Sequence, residues 1–146
     1  MTSSDPRSYP DRPILAVSAV VWRDGRFVVV RRARPPAQGL FTLPGGGVEA
    51  GETLKQAVVR ELREETGLIV EPIDVAGHRE VIMRDAEGRV ARHFVVLAFA
   101  ALWRQGELTL NEELAEARWI EAVELAGLTT TEGLAEIVGA ALRRFP

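Results

Sequence analysis

Two rhythms of hydrophobic and polar positions divide this chain. Leu15–Trp22 and Phe27–Arg31 are valine-rich runs joined by Arg23-Asp24-Gly25-Arg26, and an Asp-Gly pair between such runs predicts a β-hairpin. Phe41-Thr42-Leu43 reads as a short strand leading into a glycine loop, Pro44 to Gly47. From Thr53 to Thr66 the period becomes helical, with Leu54, Ala57, Val58 and Leu62 on one face. Thr53 suits the N-cap with Gln56 as its capping-box partner, and Gly67 suits the left-handed residue that ends a helix. Leu68–Val75 and Gly77–Arg84 read as extended, with a turn at Asp85–Gly88. Val90–Trp103 is then expected to be a central strand buried on both faces. Leu108–Glu116 is polar and acidic, Ala117–Ile120 reads as a returning strand, and Thr131–Arg144 as a closing amphipathic helix. The expected class is α/β, a mixed sheet with helices packed against it.

The acids of the first helix set the chemistry. At ~100° per residue, Glu61 and Glu65 lie about 40° apart, with Glu64 about 60° to the other side of Glu61. They share the apolar stripe, whereas Lys55, Gln56 and Arg63 point away. A stripe that faces the core would therefore carry three carboxylates over its edge, where they repel one another and lose hydration. Arg60, at the margin of this arc, offsets part of one charge. Hard divalent cations prefer carboxylate oxygens, so the pattern points to a metal site, with Mg²⁺ (or Mn²⁺) the expected ion. The neighbouring glycine loop lets a phosphate chain approach the backbone closely.

The same residues resemble the Nudix box at every defined position: Gly46, five residues, Glu52, seven residues, Arg60-Glu61-Leu62-Arg63-Glu64-Glu65-Thr66-Gly67-Leu68. The resemblance implies a Nudix-type α/β/α sandwich and a metal-dependent hydrolase acting on a nucleoside diphosphate linked to another moiety. It is similar in softer features to the short ADP-ribose pyrophosphatase-like branch. Two subfamily markers are absent, because Met83 and Arg84 stand where one ADP-ribose-cleaving group carries proline, and Asp85 where diadenosine polyphosphate hydrolases carry tyrosine.

On this reading Glu61, Glu64, Glu65 and the Gly45 carbonyl hold metal, and Glu64 or Glu113 takes the proton of the attacking water. Relatives often place a carboxylate a few residues before a tryptophan-containing strand, and here Glu113 is the first choice and Glu112 the second. Arg32, Gly46 and Gly47 are expected to contact substrate, Phe41 to stack on a base unless it is core, and Glu52 and Arg60 to orient the helix against the loop. His78 and His93 receive no role.

Composition narrows the partners. Hydrophobic residues make up 47% and charged residues 27%, with net charge −3 and no cysteine. This is the balance of a globular domain, residues 13–146, behind a flexible arm at 1–12. Interspersed charge disfavours a nucleic-acid polymer as ligand, and the longest apolar run, Phe94–Trp103, is too short to span a bilayer. Without cysteine or the apolar core of a secretory signal, a cytoplasmic protein with a small-molecule nucleotide substrate is expected. Many relatives are dimers, so a homodimer is compatible with the resemblance. Alternatives are hydrolysis of oxidised nucleoside triphosphates, as in MutT-like enzymes, and a non-catalytic Nudix-fold binding module.

Overall fold

The computed structural model describes residues 7–35 and 37–146, so residues 1–6 of the arm expected at 1–12 lie outside the described residues. The valine-rich runs form β1 (Ile14–Arg23) and β2 (Arg26–Arg32), joined by a two-residue turn in which Asp24 and Gly25 both take positive φ, 49° and 83°. Positive φ at both central positions is the mirror-image turn that matches strand twist. β3 (Phe41–Thr42) pairs with β2. The glycine run is not only a loop, because Gly45–Gly47 forms β4 and pairs antiparallel with Ala16–Ser18 of β1. A Cβ on Gly45 would stand 2.0 Å from the Val17 carbonyl oxygen. Absence of a side chain there is what lets the two backbones meet.

Two sixteen-residue strands, β5 (Ile69–Arg84) and β6 (Val90–Gln105), form a long hairpin. The break expected near Ala76 is instead a register shift between Val75 and Gly77 inside one strand. β6 also runs parallel to β1 from Ile14↔Phe94 to Trp22↔Leu102, which makes the sheet mixed. β7 (Leu114–Ile120) starts three residues earlier than expected and returns along β2. The path β3-β2-β1-β6-β5, with β4 on β1 and β7 on β2, completes seven strands.

Of β6, only Ala98–Ala101 is buried on both faces; the outer stretches are half-buried because the helices cover only the middle of the sheet. On one face α1 (Leu54–Thr66) buries Ala57, Val58 and Leu62 against Val17, Ala19, Val28 and Phe99. On the other, α2 (Leu134–Leu142) buries Leu134, Ile137, Val138 and Ala141 against Val20, Phe27, Val29 and Ala100. The result is an α/β/α sandwich.

Both ends of α1 are written locally. Thr53 Oγ1 accepts from Gln56 N at 3.1 Å, Gln56 Oε1 accepts from Thr53 N at 2.9 Å, and Gly67 closes the helix at φ 78°. α2 is shorter than expected. Thr131 N–H donates to the Phe41 carbonyl at 3.0 Å, which commits that residue to the edge of the sheet, and Gly133 enters the helix at φ 80°. Among the described residues no helix is long and apolar enough to cross a membrane.

Candidate active site

The capping box and the αL stop fix where α1 begins and ends, and therefore which residues of its second half reach over the core edge. That half does not turn all three acids inward equally. Glu65 is 6% exposed, whereas the Glu61 side chain is 14% exposed and that of Glu64 60% exposed. Glu64 lies on the solvent side of the arc, held by Arg60 Nη1 at 3.2 Å.

Arg60 does more than offset part of one charge. Its Nε and Nη2 donate to Glu52 at 2.7 and 2.9 Å, Nη1 to Glu61 at 2.8 Å, and Nη2 also to the Gly47 carbonyl at 2.8 Å. The guanidinium thus ties the turn before α1, the helix and β4 together. Its bonds, with the Glu49 N–H, hold the Glu52 carboxyl at about 2, well below its ordinary value. Arg60 itself is pushed further toward its charged form by Glu52 and Glu61.

Glu65 shows the opposite balance. Burial pushes its carboxyl up to about 7, the Glu61 and Glu113 charges add to the rise, and the Gly45 N–H and Arg32 oppose it. Its Oε1 accepts from Gly45 N at 3.3 Å. Glu61 is also raised by burial, against the opposing Arg60 hydrogen bond. A Cβ on Gly46 would lie 2.3 Å from Glu61 Oε2, so the glycine leaves room for this carboxylate.

These acids open onto a cleft of about 1210 Å³. Arg32, Gly45, Gly46, Gly47, Arg60, Glu61, Glu64, Glu65 and Glu113 all line it. Arg32 and Glu113 meet because β2 and β7 pair at Arg32↔Leu114, and the Glu113 carbonyl accepts from Ala33 N at 2.8 Å. Glu112 also lines the cleft, 4.0 Å from Arg34. Glu52 stands outside the lining and is tied to it through Arg60 and the Glu49 amide.

Phe41 is a correction. It is 7% exposed, belongs to the core on the α2 face, and is absent from the cleft lining. Its ring lies under the Arg118 guanidinium at 4.8 Å instead. The aromatic that lines the cleft is Phe94 on β6, accompanied by Val96 and by Val81 of β5. Arg79 and Arg92, from the same two strands, supply cations that the motif did not indicate. Their signal was a period of two, Arg79-x-Val81-x-Met83 and Arg92-x-Phe94-x-Val96, with pairing at Val81↔Phe94 bringing both sets to one face. Arg79 is half-buried, and burial makes its charge costlier despite Glu132 nearby.

Among the described residues no three acidic or histidine side chains converge as a ready-made ligand cluster. The reason is visible in the bonding: Arg60 draws Glu61 and Glu64 one way, and Glu65 turns to the Gly45 amide. The donors are nonetheless all oxygen, and the innermost is a desolvated carboxylate without a formal ion-pair partner among the described bridges. That chemistry fits a hard divalent cation.

Residues 12–140 match the model of the NUDIX domain. The chain belongs to the Nudix family. It is 35% identical over 116 residues to a protein named ADP-ribose pyrophosphatase from Methanocaldococcus jannaschii, covering 80% of this chain and 66% of that protein. It is 34% identical to the NAD-capped RNA hydrolase NudC of Photobacterium profundum, over 68% of this chain and 35% of that protein. The chain thus spans less than two thirds of either relative's length. A MutT Nudix hydrolase structure from Burkholderia pseudomallei superposes with TM-score 0.76 at 24% identity, covering 89% of this chain and 98% of that one. This likeness extends the shared fold over nearly the whole chain. Nudix hydrolases generally need a divalent metal.

Proposed function

We propose that this protein is a Mg²⁺- or Mn²⁺-dependent pyrophosphohydrolase that cleaves the diphosphate of a nucleoside diphosphate linked to another moiety, of the ADP-ribose kind. The observation that carries this reading is the buried Glu65 and the half-buried Glu61, seated against glycines 45 and 46 at the wall of a cleft lined by arginines. The name of the archaeal relative supports the substrate class.

Glu61, Glu64 and Glu65, with the Gly45 carbonyl, are the groups that would hold the metal. A bound divalent ion supplies positive charge at the phosphoryl oxygens and lowers the pKa of water. Arg32, Gly46 and Gly47 bind the diphosphate, and Phe94 offers a face for a base. Glu64 or Glu113, both exposed, takes a proton from the attacking water. Water's oxygen bonds to one phosphorus as the bridging P–O bond breaks, which for ADP-ribose gives AMP and ribose 5-phosphate. Arg60, held by Glu52 and the Gly47 carbonyl, keeps α1 and β4 at the spacing that positioning-dependent phosphoryl transfer requires. The cleft has room for a small nucleotide, which is the substrate of this reading, and the cytoplasm is its expected location.

A substrate panel with Mg²⁺ tests this. Release of two monophosphates from ADP-ribose is the expected result. Release of pyrophosphate from oxidised nucleoside triphosphates alone would replace the substrate class, and no turnover of any diphosphate would favour a binding module.

A further inference from the structure

The segment ahead of β1 reaches the same cleft. Tyr9 N donates to the Ala91 carbonyl at 2.9 Å, its hydroxyl donates to Asp85 Oδ2 at 3.0 Å, and Arg89 stands 4.9 Å over its ring. Asp85 is fixed beforehand, accepting from the Glu87 and Arg89 amides at 3.0 and 2.9 Å. Tyr9 takes φ 49° immediately before Pro10, a conformation that a bulky residue keeps only when its surroundings hold it there.

Two residues earlier, Arg7 lines the cleft, and its Nη2 would lie 3.0 Å from a Cβ on Gly47. Its charge also acts on Glu61. Arg7 is therefore a cation beside the glycine strand brought there by a separate anchor.

We propose that residues 7–9 form a strap in which Tyr9, docked on the β5–β6 turn, positions Arg7 as a ligand for the substrate's diphosphate. A planar guanidinium suits paired phosphoryl oxygens. Arg7 is a substrate-binding residue, and Tyr9 a positioning residue acting through it. This rests on the hydrolase reading above.

The test measures Mg²⁺-dependent hydrolysis of ADP-ribose, or of whichever diphosphate the wild type turns over, together with inhibition by pyrophosphate. R7A is expected to raise KM and the pyrophosphate inhibition constant about tenfold with kcat changed less than about threefold. R7K should recover part of the loss. Y9F should move both constants in the same direction by a smaller factor, and R7A added to Y9A should have little further effect. Tyr9 is the single tyrosine of the chain, so ultraviolet titration reads the strap directly: Asp85 raises its ionisation above the ordinary range, and D85A should bring it back. Unchanged KM and pyrophosphate inhibition in R7A, with an active wild type, overturns the strap alone, as does tighter Mg²⁺ binding without a KM change, which would make Arg7 only a counter-charge to Glu61. Activity confined to substrates other than nucleoside diphosphate derivatives overturns the substrate class, and an R7A KM unchanged on those substrates overturns the strap as well. A wild type that neither hydrolyses nor binds any diphosphate overturns both.

Discussion

Glu52 and Glu65 are the same residue type at opposite ends of one structural unit, and the fold treats them in opposite ways. At the entry to α1, Glu52 meets Arg60 in a two-bond contact and is held ionised, down to about 2. Near the exit, Glu65 is buried with one long amide bond and is pushed up to about 7. The protein neutralises the first acid with its own guanidinium and gives the second no such partner among the described ion pairs, and on the proposed reading a cation fills that place. A carboxylate used only as a structural latch needs no such deficit. One that receives a cation does.

The contrast breaks most severely if the acids that face the cleft are neutralised. E61Q and E64Q should each lower kcat by at least about a hundredfold, since each removes metal charge or the base from the transition state. Steady-state assays at saturating Mg²⁺ check this, and near-normal rates in both would refute the assignment without touching the fold.

A subtler break comes from the glycines. G46A places a methyl against the end of the flexible Glu61 side chain, so the fold should survive. Apparent Mg²⁺ affinity should weaken about tenfold with Tm nearly unchanged. G45A instead meets the backbone of Val17 and Ser18 and should destabilise the sheet. Mg²⁺ titrations of activity beside thermal melts separate the two outcomes.

The pH dependence sharpens the comparison further. Because Glu65 has a folded pKa of about 7 against an ordinary 4.5, the folded state binds its proton more tightly. Metal-free protein should therefore lose stability as pH rises from about 4.5 through about 7, by up to roughly 3 kcal/mol. Glu52 works in the other direction, since its contribution is full above 4.5 and is lost as pH falls toward 2. Denaturant unfolding without metal should show the decline between about pH 5 and pH 8, and Mg²⁺ should restore most at the alkaline end. A flat profile would mean that Glu65 is not desolvated in solution. Smallest of all is the effect of F41L on catalysis. Phe41 lies in the core and does not line the cleft, so KM should stay within about twofold while stability falls by about 1 kcal/mol.

What sequence made legible follows from how local each interaction is. The Thr53–Gln56 box, the Gly67 stop and the Asp24-Gly25 turn involve residues within a few positions of one another, and they appear where their types indicated. The helical repeat placed Glu65 inward correctly but could not show Glu64 drawn out toward Arg60, because that depends on where the guanidinium finds its other partners. The glycine run hid β4, whose pairing comes from β1 some thirty residues earlier. Arg79, Arg92 and Phe94 entered the cleft through the β5–β6 and β1–β6 registers, which periodicity within one strand does not reveal. Phe41 sits next to Thr131 through an edge contact ninety residues long, and this long-range pairing closes it into the core.

The central claim is that Glu65 is an inward, under-neutralised carboxylate awaiting a cation. An NMR titration of the Glu65 side-chain carboxyl carbon, with and without Mg²⁺, measures this directly. Without metal its midpoint should lie at about 7, and Mg²⁺ should move it below about 5. A metal-free midpoint in the ordinary carboxylate range that Mg²⁺ leaves in place would contradict the account.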